Sequence, residues 1–151
     1  MRIYADENIP TDKDLIPTGE ILPVDGTPLD VRNWTRIGDR MEQLPNGFDN
    51  SYCVKGENGK KPVLIAELRE QQSGRILKTY TTQPGVCFYT AKGLNTKQNT
   101  AHGVPYGNSW GVCLETQHHP DSPNHDNFPS TVLRRGETYH EVTIYKLEIQ
   151  R

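Results

Sequence analysis

The chain has 151 residues, 33% of them hydrophobic and 24% charged, and its net charge is −2 at pH 7. This length suffices for one domain with a hydrophobic core, and the balanced charge offers no basic field to attract nucleic acid. No apolar run approaches the roughly 20 residues that a membrane-spanning helix needs, and the N-terminus lacks the apolar stretch of a signal peptide. We therefore predict a single domain over residues 1–151, with no nucleic-acid partner and no membrane partner.

The three cysteines lie far apart in the sequence, at Cys53, Cys87 and Cys113. An odd number of cysteines without a C-x-x-C pair argues against a disulfide framework and against a structural zinc site. The cysteine pattern therefore predicts a reducing compartment and a cytoplasmic protein.

One segment, residues 36–44, has helical spacing. Ile37, Met41 and Leu44 recur at intervals of four and three residues, which places them on one face of a helix. Thr35 precedes this segment and is a candidate N-cap. We predict a short helix here.

The other predicted elements are β-strands, because runs of apolar and β-branched residues alternate with turn signals. The runs are residues 62–70, 75–82, 85–90, 109–116 and 139–150. The turn at residues 71–74 ends in Gly74, which joins the first two runs as a hairpin.

Long polar loops separate these strands, at residues 5–20, 45–50, 91–108 and 118–130. The chain contains 13 Gly and 11 Pro residues, which interrupt regular structure repeatedly. Many short strands joined by turns are typical of an all-β sandwich. Binding residues are most often found in loops of this length.

Glu115 is the first candidate site residue. In residues 110–117, Trp110, Val112 and Leu114 alternate with a second face that carries Cys113 and Glu115. A charge on the solvent face of a half-buried strand is the ordinary explanation. The functional alternative is a partly desolvated carboxylate whose raised pKa suits a general base.

Asp49 is the second candidate, in the turn-like segment of residues 45–51. Aspartate is common in turns for conformational reasons alone. The functional alternative is a carboxylate that accepts hydrogen bonds from two neighbouring hydroxyl groups of a sugar.

The loop at residues 118–125 contains His118, His119, Asp121 and His125. Their spacing matches no recognised ligand pattern, and two prolines in the loop prevent a helix that would align them. We predict no metal site.

Four aromatic residues are either a platform for the apolar face of a sugar or part of the core, and for Phe88 and Trp110 we favour the core. The four are Phe88, Tyr89, Tyr106 and Trp110.

Eight segments, taken together and in order, resemble the C-terminal half of the galactose mutarotase (aldose 1-epimerase) family. They span nearly the whole chain, and no single one is decisive. They are residues 4–6 (Tyr-Ala-Asp), 16–20, 24–28, 47–49 (Gly-Phe-Asp), 73–75, 81–90, 113–117 (Cys-Leu-Glu-Thr-Gln) and 126–130.

The resemblance implies part of a β-supersandwich of mostly antiparallel strands, with a cleft on one face of a large sheet. It implies interconversion of the α and β anomers of free hexoses such as galactose and glucose, without cofactor or metal. The implied catalytic base is Glu115, and the implied sugar-binding residue is Asp49. Position 87 also contacts the sugar in the family, but Cys87 stands where glutamine is common, and a thiol lacks the paired donor and acceptor of an amide.

The family's general-acid histidine belongs to a segment upstream of Met1, so the resemblance predicts a truncated form without that acid. A non-catalytic carbohydrate-binding module or an inactive fragment is the alternative. Missing strands would leave sheet edges open, from which we expect self-association.

Overall fold

The computed structural model describes residues 1–55, 61–98 and 100–150. These residues form nine strands, one short helix α1 (Ile37–Met41) and one 3-10 turn (Ser122–Asn124). The strands are β1 (Arg2–Ile3), β2 (Glu7–Ile9), β3 (Leu22–Pro23), β4 (Asp49–Cys53), β5 (Val63–Arg69), β6 (Arg75–Thr81), β7 (Gly85–Tyr89), β8 (Cys113–Gln117) and β9 (Thr143–Ile149). The predicted all-β fold is confirmed. Within the described ranges, no helix has the length and apolar character that crossing a membrane requires.

The strands make two antiparallel sheets. The four-stranded sheet has the order β1-β5-β6-β9, and the five-stranded sheet has the order β3-β2-β4-β7-β8. The predicted hairpin is present, because β5 pairs with β6 across the turn that ends in Gly74, whose φ is 69°. The strand order leaves β8 at one edge of the larger sheet and β9 at one edge of the smaller sheet.

The core lies between the two sheets. From the five-stranded sheet it receives Tyr52, Val86, Phe88 and Leu114, which share one face and are all buried. The four-stranded sheet contributes side chains such as Ile65 and Ala66. Since side chains alternate along a strand, the neighbours of the core residues in the five-stranded sheet point to the opposite face.

A buried carboxylate joins β1 to β5. Glu67 accepts hydrogen bonds from Arg2 Nε at 2.5 Å and from the Tyr4 hydroxyl at 2.6 Å. Burial tends to raise the pKa of Glu67, but these hydrogen bonds outweigh burial and hold the pKa below its ordinary value. The network therefore favours an ionised Glu67 in the folded protein.

The predicted helix is present but shorter than expected, and the predicted N-cap is wrong. Arg36 occupies the N-cap position without a side-chain hydrogen bond to the helix. The hydroxyl of Thr35 donates instead to the carbonyl oxygen of Asn33 at 2.9 Å. The backbone N–H of Thr35 donates to the carbonyl of Met1 at 2.8 Å, which fixes this residue outside the helix.

The prediction of a strand from residue 109 and of a buried Trp110 is also wrong. The strand begins at Cys113, and Trp110 is 64% exposed. Ser109 has a φ of 60°, and the N–H of Trp110 closes a turn on the carbonyl of Gly107 at 3.3 Å. This turn interrupts the extended backbone that the apolar alternation predicts. Phe88, by contrast, is fully buried as expected.

Candidate active site

The candidate site lies on the face of the five-stranded sheet that points away from the core, which we call the open face. It carries Ile9, Ser51, Cys87 and Glu115 in a single row, because Ile9 pairs with Ser51, Ser51 with Cys87, and Cys87 with Glu115. Four strands, β2, β4, β7 and β8, thus bring side chains together that are far apart in the sequence.

Asp49 lies one row further along β4 on the same face, opposite Tyr89. Strands lie about 4.8 Å apart and rise about 3.4 Å per residue, so the Cα atoms of Asp49 and Glu115 are about 12 Å apart. Cys87 lies between them. The carboxylates of Asp49 and Glu115 therefore lie on either side of the Cys87 thiol on the open face. The two residues must lie on one face if both act on the same small molecule.

The electrostatics of Cys87 reflect this position. Burial is the main cause that raises the pKa of its thiol, to about 11, and the nearby charges of Glu115 and Asp49 raise it further. A hydrogen bond with Ser51 has a smaller opposing effect. Cys87 is therefore a neutral thiol near pH 7 and a poor nucleophile.

A cavity of about 110 Å³ opens beside this row. Its wall includes Ile9, Asp49, Ser51 and Cys87 from the sheet, together with the loop residues Thr11, Leu15, Pro17 and Pro120. Glu115 is not part of this wall and lies on the far side of Cys87. Of the described residues that form the wall, none is a histidine.

The backbone around Asp49 is anchored by the preceding residue, Phe48, whose side chain is buried in the core. The Phe48 ring is fully buried and lies 5.0 Å from the ring of Phe88. The N–H of Phe48 donates to Thr90 Oγ1 at 3.0 Å, and the N–H of Thr90 donates to the Phe48 carbonyl at 3.0 Å. This reciprocal pair fixes the start of β4 and leaves the carboxylate of Asp49 exposed.

Glu115 is held by the pairing of β8 with β7 and by Leu114, which packs into the core. The Tyr145 hydroxyl of β9 donates to the carbonyl oxygen of Leu114 at 2.7 Å. The side chain of Glu115 is exposed, as the ordinary explanation for a charge on a half-buried strand expects, and the partly desolvated carboxylate of the functional alternative is not found. The reason is the position of β8 at the edge of the sheet, where only one neighbouring strand shields it.

The loop that follows β8 closes one side of the cavity through Pro120. Its neighbour His119 is buried against the edge of Phe128, with ring centroids 5.3 Å apart, and lies over Gly85 of β7. Burial, with a smaller effect of His118, lowers the pKa of His119 and favours the neutral imidazole. His119 thus has a packing role in this loop.

The remaining candidates of this loop do not form a cation site. His125 and Asp121 approach each other to 3.2 Å. Across the part of the chain that the structure describes, no group of three or more His, Cys, Asp or Glu residues is arranged to hold a metal ion.

Ser51 and the wall residues of the loop at 5–20 were not predicted from the sequence. The signal for Ser51 was present, since it lies two residues after Asp49 and shares its face once β4 is recognised as a strand. Leu15 offered no such signal, because a left-handed backbone with φ of 64° turns it toward the cavity.

A sequence profile described as aldose 1-epimerase matches residues 1–146. This chain belongs to the aldose 1-epimerase family. Galactose mutarotase from Mus musculus is 43% identical over 148 residues, which cover 97% of this chain and 43% of the mouse protein. Aldose 1-epimerase from Escherichia coli is 31% identical and is covered to 44% of its length. The chain thus spans less than half the length of these relatives.

Solved structures show the same aldose epimerase fold. A GalM/aldose epimerase homologue from C. elegans superposes with a TM-score of 0.87 and 26% identity, covering 99% of this chain and 45% of that chain. A galactose 1-epimerase from Lactobacillus acidophilus superposes with a TM-score of 0.70 at 22% identity, a likeness of fold alone.

Proposed function

We propose that this chain supplies the base-bearing part of an aldose 1-epimerase site, which interconverts the α and β anomers of a free hexose such as galactose or glucose. Glu115 is the general base, and Asp49 binds a ring hydroxyl. The observation that carries the proposal is the arrangement of Glu115, Cys87 and Asp49 on one open face, in a chain of this family.

The chemistry needs two proton transfers. A base takes the proton of the C1 hydroxyl, an acid delivers a proton to the ring oxygen, and the bond between C1 and the ring oxygen breaks. Rotation about the C1–C2 bond then lets the ring close with either configuration. Glu115 is exposed and reachable by a sugar seated over Cys87, while Asp49 would hold that sugar from the opposite side.

The proposed acid lies in the part of the family domain that this chain does not span. The described wall of the cavity contains no histidine, and the Cys87 thiol, with a pKa of about 11, is a weak proton donor. General acid catalysis typically contributes about 10²–10⁴-fold to a rate. This chain alone is therefore expected to accelerate anomer exchange only weakly.

Exchange NMR between the two anomeric protons of galactose tests the assignment. Exchange above the buffer rate that is lost in Glu115→Gln, but kept in the exposed control Glu42→Gln, supports Glu115 as the base. Loss of the base is expected to cost about 10²–10⁴-fold wherever activity rises above the buffer rate. Equal rates for both variants would remove Glu115 from the mechanism.

A non-catalytic carbohydrate-binding module is the second candidate. The exposure of Glu115 and its place outside the cavity wall favour it. In that case galactose shifts the NMR signals of the protein without anomer exchange, Asp49→Asn weakens binding, and Glu115→Gln does not. We also propose a cytoplasmic location, because all three cysteines are free thiols.

A further inference from the structure

All three cysteines of the chain lie on the open face, one on each of the neighbouring strands β4, β7 and β8. Each is a half-buried free thiol. Cys53 pairs with Gly85, two residues before Cys87, and Cys113 pairs with Tyr89, two residues after Cys87. The three thiols therefore follow one diagonal across the sheet, with Cys87 in the middle.

Cys87 is closer to Cys113 than to Cys53. Because a sheet twists with one hand, one of the two diagonals between neighbouring strands is shorter than the other. After burial and the nearby carboxylates, Cys113 also raises the pKa of the Cys87 thiol. The pKa of Cys53 is raised by burial and then by Glu7. Cys87 and Cys113 thus form a pair, and Cys53 stands apart from it.

The spacing of this pair suits a bridging ion better than a disulfide. Diagonal neighbours have Cα atoms about 7–8 Å apart and Cβ atoms somewhat closer. A disulfide needs Cα atoms about 4.4–6.8 Å apart, so a direct bond between the sulfurs requires movement of the backbone. An ion held in line by two metal–sulfur bonds of about 2.3 Å separates the Cβ atoms by roughly 5.5–6.5 Å. A linear bridge therefore fits the sheet as it stands.

The surroundings of the pair select the class of ion. In residues 1–55, 61–98 and 100–150, no three potential ligands are arranged to hold a metal, so Zn²⁺, which takes four ligands in structural sites, is poorly served. Two thiolates suffice for Cu(I), a soft cation that accepts linear coordination. The charges of Glu115 and Asp49 act on Cys87, and they attract a cation. The cavity beside Cys87 gives an ion access from solvent.

We propose that Cys87 and Cys113 form a binding site for a soft two-coordinate cation, of which Cu(I) is the type. The ion displaces both thiol protons to the buffer and forms two Cu–S bonds, so that a bis-thiolate of net charge −1 results. Neither copper nor sulfur changes its oxidation state. A bound ion lies between Glu115 and Asp49, and it therefore competes with galactose; this consequence alone rests on the proposed function.

Anaerobic titration of the full chain with Cu(I) tests the proposal, with bicinchoninate as a coloured competitor for the ion. No sugar is present. We expect one Cu(I) per chain, the release of two protons, and two sulfur neighbours of copper by X-ray absorption spectroscopy. Light scattering should show that the copper-loaded chain has the same oligomeric state as the copper-free chain.

The chain offers a matched control for this titration. Cys87→Ser and Cys113→Ser should each weaken Cu(I) binding at least about 100-fold, because the second thiolate no longer adds its effective concentration. Cys53→Ser removes a thiol of the same face, whose pKa is also about 11, and should bind Cu(I) as the wild type does. Cys87→Ala is a second variant of the central position, and circular dichroism verifies the sheet content of each variant.

Three results would overturn the proposal. One is an equal affinity for Cu(I) in Cys53→Ser and Cys113→Ser. Another is a single sulfur neighbour of copper, which would mean that a lone thiol holds the ion. The third is a copper-bridged dimer, which would place the two thiolates on different chains. The competition is measured separately, by the loss of galactose-induced NMR shifts when Cu(I) is added. Galactose that never binds the copper-free chain counts against the proposed function and not against the copper site.

Discussion

The turn that leads into β4 allows a sharp test of how Asp49 is positioned. Gly47 has a φ of 68°, and a Cβ atom built there would lie 2.6 Å from the Oγ1 of Thr90. That Oγ1 accepts the hydrogen bond from the N–H of Phe48. Gly26 has nearly the same φ, 70°, but a Cβ atom there meets no heavy atom within 4 Å. The two glycines therefore differ in their surroundings but share the same left-handed φ.

Gly26→Ala should carry only the cost of a left-handed alanine, about 1–2 kcal/mol, partly offset by about 0.4–1 kcal/mol from the stiffer unfolded chain. Gly47→Ala carries the same two contributions. It also displaces the Thr90 hydroxyl and leaves the buried N–H of Phe48 without a partner, which costs about 1–3 kcal/mol. The expected difference between the two variants is thus about 1–3 kcal/mol.

Urea denaturation of the two variants and the wild type, followed by circular dichroism, measures this difference. The same samples can be titrated with galactose, and we expect Gly47→Ala to bind more weakly because Asp49 follows Phe48 directly. Equal free energies of unfolding for Gly47→Ala and Gly26→Ala would refute the reasoning. They would mean that Thr90 adjusts without losing its hydrogen bond.

Three further outcomes are expected. Glu67→Gln should lower the free energy of unfolding by about 1.5–3 kcal/mol at pH 7. Because the folded pKa of Glu67 is depressed, this stabilisation is present above the unfolded pKa of about 4.3 and fades as the pH falls through the folded pKa; urea titrations at pH 7, 5 and 3 measure it. Cys87, with a pKa of about 11, should react with iodoacetamide at pH 8 about 100-fold more slowly than an unburied thiol, as judged by peptide mass spectrometry. Tyr145→Phe should cost about 0.5–1.5 kcal/mol through its lost hydrogen bond to Leu114, and hydrogen exchange should rise in β8. No rise in β8 exchange would show that this bond does not support the strand.

The alternation of apolar and polar residues with a period of two was the sequence pattern that predicted the structure best. It gave the hairpin of β5 and β6 and the face shared by Cys113 and Glu115. It failed at Trp110, because nothing in the apolar alternation reveals that Ser109 adopts a left-handed backbone. The exposure of Glu115 agrees with the ordinary explanation for a charged strand residue, but the position of β8 at a sheet edge was hidden, since strand order is a long-range property.

The strand β4 shows why part of the site escaped prediction. Asp49, Asn50 and Ser51 are residues that favour turns, so the segment was assigned to a loop. In the folded protein β4 pairs with both β2 and β7, and these tertiary contacts override local preference. The resemblance to a family supplied Asp49 and Glu115 by position, but the role of Ser51 in the cavity wall follows only from the register.

One phenol ties the strand that carries Glu115 to the neighbouring sheet. The peptide bond between Leu114 and Glu115 is anchored by Tyr145, whose ring is more than half in water. Edge strand β8 pairs only with β7, so this hydrogen bond is a second support against local opening of the strand from which Glu115 projects. The position of Glu115 is therefore coupled to the contact between the two sheets, since Tyr145 and Leu114 belong to different sheets.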